Sequence, residues 1–117
     1  MQRVCFTLRV HPEKLDEYLE RHDPVWPEML REIAASGRRN YSLFHAGEGQ
    51  LIGYFETDDL EGSQRYLAES EVAARWEAEM VHFLDTGGAR ADQGFVAFPV
   101  IFNLEDQLAA VEENESR

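Results

Sequence analysis

The sequence has few cysteines and no long apolar run. Its single cysteine, Cys5, cannot form an intramolecular disulfide, which makes the cytoplasm the expected location. No apolar stretch approaches the roughly 20 residues that a membrane-spanning helix needs. Charged residues follow Met1 too early for a secretory signal peptide. A secreted disulfide scaffold and a membrane protein are therefore not expected.

Positive charge is also scarce. Lys and Arg number 11 against 23 Asp and Glu, so the formal net charge is −12. A chain this acidic repels phosphate groups, which argues against nucleic acid, an anionic membrane or an anionic substrate as a partner. The sequence has no His-x-His or Cys-x-x-Cys pair, so the spacing of a zinc site is absent and no metal is expected. A neutral small molecule remains open as the ligand.

The composition that is present suits one folded domain. Hydrophobic residues make up 44% of the 117 positions and aromatic residues 11%, enough for a single core. Alternating apolar residues predict strands over residues 4–10, 40–45 and 51–56, and a last strand, Phe95–Asn103, follows a glycine-containing loop over residues 85–94. Helical spacing predicts helices over residues 12–22, 27–35 and 60–68, and another that starts at Ser70 and carries apolar residues as far as Leu84.

The order of these elements is β-α-β-β-α-β, with each helical slot divided in two. This order is typical of an α+β, ferredoxin-like split βαβ fold over residues 1–104. The last strand is apolar on both faces, which requires cover on both faces of the sheet. We therefore expect a homodimer packed through the sheet faces. Residues 105–117 form an acidic tail, either a short helix or a frayed end.

The densest candidate site lies at the end of the first helix. Tyr18 and His22 are four residues apart and so are neighbours on one helix face. At a helix C-terminus the dipole favours protonated histidine, and an ordinary pKa of about 6.5 suits a group that gives and takes protons. A capping role for His22 is the alternative interpretation.

Two further clusters carry weaker signals. Trp76 could stack on the apolar face of a sugar ring, although its helical spacing from Val72 and Met80 also suits a core tryptophan. Tyr41 could bind a ligand through its hydroxyl or simply lie half-buried in a strand. Glu56, at a strand end, is a weak candidate for a base.

These clusters together resemble the L-rhamnose mutarotase family over about residues 3–104. The most specific part is His-x-Pro-x-Trp-Pro-Glu, which runs from His22 to Glu28. The other matching residues are Tyr18, Arg21, Asn40-Tyr41, Glu56, Arg75-Trp76, Met80 and Val100-x-Phe102-x-Leu104.

The resemblance implies a dimeric α+β barrel that interconverts the α and β anomers of L-rhamnose without a cofactor. It places the proton donor on His22 and the sugar contacts on Tyr18, Tyr41, Trp76 and Glu77. Members of this family commonly have a second tryptophan where this chain has Glu77, so a related 6-deoxysugar also remains open as the substrate. The resemblance does not identify the general base, for which a water molecule, Glu56 and Glu77 are the candidates.

Two other functions remain in view. One is a small dimeric α+β barrel monooxygenase, which would need an apolar pocket for an aromatic substrate. The other is a non-catalytic module that binds a sugar without speeding the exchange of its anomers.

Overall fold

A computed structural model of the chain describes residues 1–86 and 90–116. The glycine pair Gly87-Gly88, within the predicted loop over residues 85–94, lies outside the described residues. The strands are β1 (Gln2–Arg9), β2 (Arg39–Gly47) and β3 (Gln50–Thr57). The helices are α1 (Leu15–Arg21, after a 3-10 turn at Pro12–Lys14), α2 (Pro27–Ala35), α3 (Leu60–Glu69), α4 (Glu71–Met80), α5 (Ala91–Gly94) and α6 (Leu104–Glu115).

The three strands form one antiparallel sheet in the order β1-β3-β2. Residues Val4 and Phe6 of β1 pair with Phe55 and Gly53 of β3, and all four are buried on the inner face. A Cβ atom at Gly53 would lie 2.3 Å from Cζ of the Phe6 ring, so this close packing requires glycine. The helices cover this inner face, while Phe44 on the opposite face remains exposed.

Side-chain caps set the helix starts. Ser70 accepts a hydrogen bond from the backbone N–H of Ala73 and caps α4, so the predicted start there is confirmed. Helix α3 is capped by Asp59, whose side chain accepts a hydrogen bond from the backbone N–H of Gly62. The neighbouring Asp58 is not the cap. Helix α4 ends at Met80, so the expectation of helical residues through Leu84 is wrong. Leu84 is nevertheless buried, because it forms a bridge with Val10 at the end of β1.

The predicted final strand over Phe95–Asn103 is wrong for the single chain. This segment touches β1 at one bridge, in which the Phe98 N–H donates to the Cys5 carbonyl at 2.9 Å. Among the described residues no further backbone pairing joins this segment to β1, and a single bridge does not make a strand. Ile101 is 94% exposed and Phe102 is 64% exposed. The α+β class holds, with three strands in the described part of the chain rather than four.

The residues after position 103 form α6, whose apolar residues Leu104, Leu108 and Val111 are all exposed. Asn103 caps this helix by accepting from the Asp106 N–H, and Arg3 of β1 forms an ion pair with Asp106 at 3.1 Å. In the described residues no helix is long and apolar enough to cross a membrane.

Candidate functional site

A cavity of about 340 Å³ opens between the inner face of the sheet and the helices. Its volume lies within the range of roughly 300–1,000 Å³ that is usual for small-molecule sites. Its polar or aromatic lining residues are His22, Arg38, Tyr41, Trp76, Glu77 and Asp92. A smaller chamber of about 60 Å³ shares most of these residues and adds Tyr18. The predicted site residues therefore come together, although they lie on α1, β2 and α4.

His22 is the C-terminal cap of α1, and its ring is half-buried at the wall of the cavity. Its Nδ1 lies 2.9 Å from the Tyr18 carbonyl. A carbonyl only accepts hydrogen bonds, so Nδ1 carries the hydrogen and Nε2 keeps a lone pair when the ring is neutral. The capping interpretation and the site interpretation therefore describe the same side chain.

Burial changes the expected charge of His22. Loss of solvation lowers its pKa below the ordinary value of 6.5, and the bond to the Tyr18 carbonyl offsets this only in part. The expectation that the helix terminus favours the protonated form is wrong here, because the desolvation effect is larger. His22 is therefore mostly neutral at pH 7.

Trp76 belongs both to the core and to the cavity wall. The indole is nearly fully buried and meets the His22 ring edge-on, with ring centroids 5.3 Å apart. Trp26, at the start of α2, packs edge-on against it at 5.1 Å. On the other side of His22 the Tyr18 ring lies at 4.1 Å. Two aromatic rings thus contact the imidazole, and Trp26 supports one of them.

The two tyrosines keep their protons over the physiological pH range. Burial raises the pKa of Tyr18 above its ordinary value, and nearby Tyr41 and Glu77 add to the effect. Tyr41 is 36% exposed through its ring, yet burial of its hydroxyl raises its pKa to about 12. Both hydroxyls can therefore donate hydrogen bonds to a ligand without ionising.

Glu77 is an acidic side chain in the interior of the cavity. It is only 7% exposed, and burial together with the negative charge of Asp92 raises its pKa from 4.5 to about 7. The positive charges of Arg90 and Arg38 and a hydrogen bond from the Ala91 N–H act in the opposite direction. Glu77 therefore exists in both protonation states near neutral pH.

Sequence reasoning missed Arg38, which follows the turn at Gly37. Arg38 is 4% exposed, and its Nε donates to the Ser63 hydroxyl at 2.8 Å. The guanidinium lies 4.2 Å from the centroid of the Phe55 ring. Its Nη2 has no hydrogen-bond partner among the described residues. A buried donor without a partner is costly, so an oxygen atom of a ligand in the cavity would stabilise it.

Asp92 of α5 was also missed. Its carboxylate accepts from Arg90 Nε at 2.9 Å and from Arg90 Nη2 at 2.7 Å, a two-pronged ion pair. The charge of Asp92 acts on the neighbouring Glu77. No local sequence pattern identifies Arg38 or Asp92 as a site residue, because each lies in a polar stretch that is typical of exposed segments.

Glu56 lies outside this cavity. It accepts a hydrogen bond from the Tyr54 hydroxyl at 2.7 Å, on the side of the sheet away from the helices. The charged residues of the sequence motifs mostly form surface ion pairs between helices. Glu28 of α2 pairs with Arg75 of α4 at 3.5 Å, and Arg21 of α1 pairs with Glu79 of α4 at 3.3 Å. They hold the site helices together rather than face a ligand.

Comparison with known proteins agrees with this geometry. A sequence model of L-rhamnose mutarotase matches residues 3–104. The chain belongs to the L-rhamnose mutarotase family. It is 39% identical over 87 residues to the L-rhamnose mutarotase of Bacillus subtilis (strain 168), which covers 74% of this chain and 83% of that protein. It is 40% identical over 77 residues to that of Oceanobacillus iheyensis, covering 65% of this chain and 73% of the relative.

Solved structures show the same fold at lower identity. The crystal structure of L-rhamnose mutarotase from Formosa agariphila superposes with a TM-score of 0.71 at 22% identity, covering 89% of this chain and 99% of that one. The structure of Rv0793 from Mycobacterium tuberculosis gives a TM-score of 0.57 at 15% identity, covering 87% and 96%. The three-stranded sheet with its helices is thus the fold shared with a mutarotase structure.

Proposed function

We propose that this protein interconverts the α and β anomers of L-rhamnose or a related 6-deoxysugar. The observation that carries the proposal is the convergence of His22, Tyr41, Trp76 and Glu77 on one cavity in a member of the L-rhamnose mutarotase family. Mutarotation opens a hemiacetal and closes it on the other face. It needs only groups that exchange protons near neutral pH and a pocket that holds the ring.

The cavity matches the chemistry of a neutral sugar. The Trp76 indole offers an apolar surface for the C–H side of the ring, and the hydroxyls of Tyr18 and Tyr41 offer hydrogen bonds. Arg38 Nη2 adds a donor that lacks a partner among the described residues. Most lining residues are apolar, but the polar groups of Arg38, Glu77 and Asp92 among them disfavour the wholly apolar aromatic substrate that a monooxygenase pocket of this kind would take.

We assign proton transfer to His22. The imidazole lines the cavity, and the rings of Tyr18 and Trp76 and the Tyr18 carbonyl hold it in one orientation. It is a proton donor only in its protonated form, and its lowered pKa makes that form the minor one at pH 7. His22 therefore donates after it has first taken up a proton, which is the situation when the ring closes.

Saturation-transfer NMR between the anomeric protons of L-rhamnose tests the proposal. The protein should raise the exchange rate above the spontaneous rate. The His22→Asn variant should keep the fold and lose about 10²–10⁴-fold of the catalysed rate. The matched control is His82→Asn, which changes an exposed histidine after α4 and should leave the rate unchanged.

Three results would contradict the proposal. Full activity of the His22→Asn variant would remove His22 from the reaction. Binding of L-rhamnose with exchange at the spontaneous rate would indicate a sugar-binding module. Absence of sugar binding, together with binding and oxidation of an aromatic compound, would indicate a monooxygenase.

We also propose that the protein is a homodimer packed through its sheet faces, with the ferredoxin-like dimeric α+β barrel completed by the partner. The open face of the sheet exposes Phe44, and the extended segment beyond Phe98 exposes Ile101 and Phe102. Large exposed apolar patches are uncommon on monomeric proteins and usually mark an interface. In this proposal residues 1–104 form the functional domain, α6 lies outside it, and the free Cys5 suits the reducing cytoplasm.

A further inference from the structure

The cavity holds a second side chain placed to exchange a proton with the substrate. Glu77 follows Trp76 directly on α4, and its carboxyl group is buried at the wall shared by the larger cavity and the inner chamber. The Ala91 N–H donates a hydrogen bond to the carboxyl group. His22 lines the same two spaces from the end of α1. Both groups therefore border the space that a sugar in the cavity would occupy.

Several elements place titratable or charged groups around Glu77. The titratable or charged groups that face it are Tyr18 and His22 of α1, Arg38 before β2, Tyr41 of β2, Arg90, and Asp92 of α5. Most of them cannot serve as the partner of His22. The tyrosines hold their protons, the arginines stay charged, and the Asp92 carboxylate is occupied by two hydrogen bonds from Arg90.

The resting protonation states complement each other. His22 is mainly neutral with a free lone pair on Nε2, because its Nδ1 hydrogen is committed to the Tyr18 carbonyl. Glu77 has a pKa of about 7, so a large fraction of it carries a proton at neutral pH. At neutral pH a proton is therefore found more often on Glu77 than on His22.

We propose that Glu77 is the second catalytic residue of the anomer exchange and gives its proton to the ring oxygen while His22 Nε2 takes the proton of the anomeric hydroxyl. This inference rests on the proposed function. The bond between the anomeric carbon and the ring oxygen breaks, and its electron pair stays on the ring oxygen, which becomes a hydroxyl. The anomeric oxygen becomes the aldehyde carbonyl, and the protein holds a carboxylate and an imidazolium.

Ring closure runs in the opposite direction. After rotation about the bond next to the aldehyde, the hydroxyl that was the ring oxygen returns its proton to Glu77 as it attacks the carbonyl. The imidazolium of His22 donates its proton to the carbonyl oxygen, which becomes the anomeric hydroxyl on the other face. Atoms and charges balance, and no other reactant is consumed. His22 is the donor in this half, which agrees with the role that the family resemblance implies.

The pH dependence of the exchange rate, measured at saturating L-rhamnose, tests Glu77. The rate of the unmodified protein should fall on the alkaline side of about pH 7, where Glu77 loses its proton, and on the acid side, where His22 gains one. The Glu77→Gln variant should lose about 10²–10⁴-fold in rate together with the alkaline limb. Glu77→Asp keeps a titrating carboxyl group and should retain an alkaline limb at a reduced rate.

The matched control is Glu79→Gln, on the same helix and outside the cavity, which should keep both the rate and the pH profile. A Glu77→Gln variant that keeps the rate and the alkaline limb would overturn the inference and leave the proposed function intact. Weaker saturation by the sugar with an unchanged limiting rate would also overturn it, since Glu77 would then only bind. If the unmodified protein itself fails to exchange anomers, the proposed function fails instead.

Discussion

Replacement of Glu77 with glutamine should make the stability of the fold less sensitive to pH. In the unfolded chain the carboxyl group ionises near 4.5, whereas in the folded protein its pKa is about 7. Between these values the folded state holds a proton that the unfolded state has lost. Rising pH therefore favours unfolding, and the full penalty is present above pH 7. Below pH 4.5 this penalty is absent.

The size of the penalty follows from the shift in pKa. One pKa unit corresponds to about 1.4 kcal/mol, so raising the pKa from 4.5 to about 7 costs about 3 kcal/mol above pH 7. Glutamine has nearly the same shape and does not ionise. Relative to the unmodified protein, the variant should thus gain about 2–3 kcal/mol in free energy of unfolding between pH 5 and pH 8.

Urea unfolding followed by tryptophan fluorescence at pH 5 and pH 8 measures this difference. All samples need the same protein concentration, because association would shift the midpoint. The half-exposed Glu79→Gln control should show little change between the two pH values. A Glu77→Gln variant whose stability differs from the unmodified protein equally at both pH values would refute the claim that Glu77 is a buried, weakened acid.

Three other substitutions test separate parts of the structure. Arg38→Met removes a positive charge that lowers the pKa of Glu77, so the alkaline limb of the rate profile should move to higher pH; an unmoved limb would contradict this coupling. Gly53→Ala should cost about 1–3 kcal/mol in urea unfolding, because its Cβ would lie 2.3 Å from the Phe6 ring, and unchanged stability would show that the ring moves freely. Phe102→Asp should convert a dimer to a monomer in analytical ultracentrifugation, and identical sedimentation of both proteins would count against the proposed interface.

Local sequence patterns predicted most of the helices and strands, because interactions between residues close in sequence determine where most of them form. The alternation in β1 and β3 and the cap at Ser70 each act within a few residues, and the structure reproduces them. The segment over Phe95–Asn103 resembles a strand in sequence because it is apolar on both faces. Pairing, however, depends on a neighbouring strand edge, and in the single chain this segment meets β1 at one bridge.

Site residues could be predicted from the sequence where the residue type itself suggests a catalytic or binding role. His22 and Trp76 are uncommon residues at helical positions, and the structure brings both to one cavity. Arg38 could not be found this way. It stands beside Arg39, which is exposed and pairs with Asp58 at 3.3 Å, and nothing local distinguishes the buried arginine from its neighbour.

The charge state of the site also escaped sequence reasoning. The helix position of His22 favoured protonation, but the loss of solvation has the larger effect and depends on Trp76 and Tyr18 packing around the ring. For Glu77 the family resemblance implied a sugar contact and left a role as base open, but nothing in the sequence indicated its raised pKa. Its burial beside Asp92 and Arg90 results from the tertiary fold.

The central claim is that at neutral pH Glu77 carries a proton more often than His22 does. A carbon-13 NMR titration of the glutamate side-chain carboxyl groups tests it directly, with the Glu77 signal identified by its absence in the Glu77→Gln variant. The account predicts that this signal titrates near pH 7 and that the His22 ring is neutral there. A Glu77 signal that titrates near 4.5, with a protonated His22 ring at neutral pH, would contradict the account.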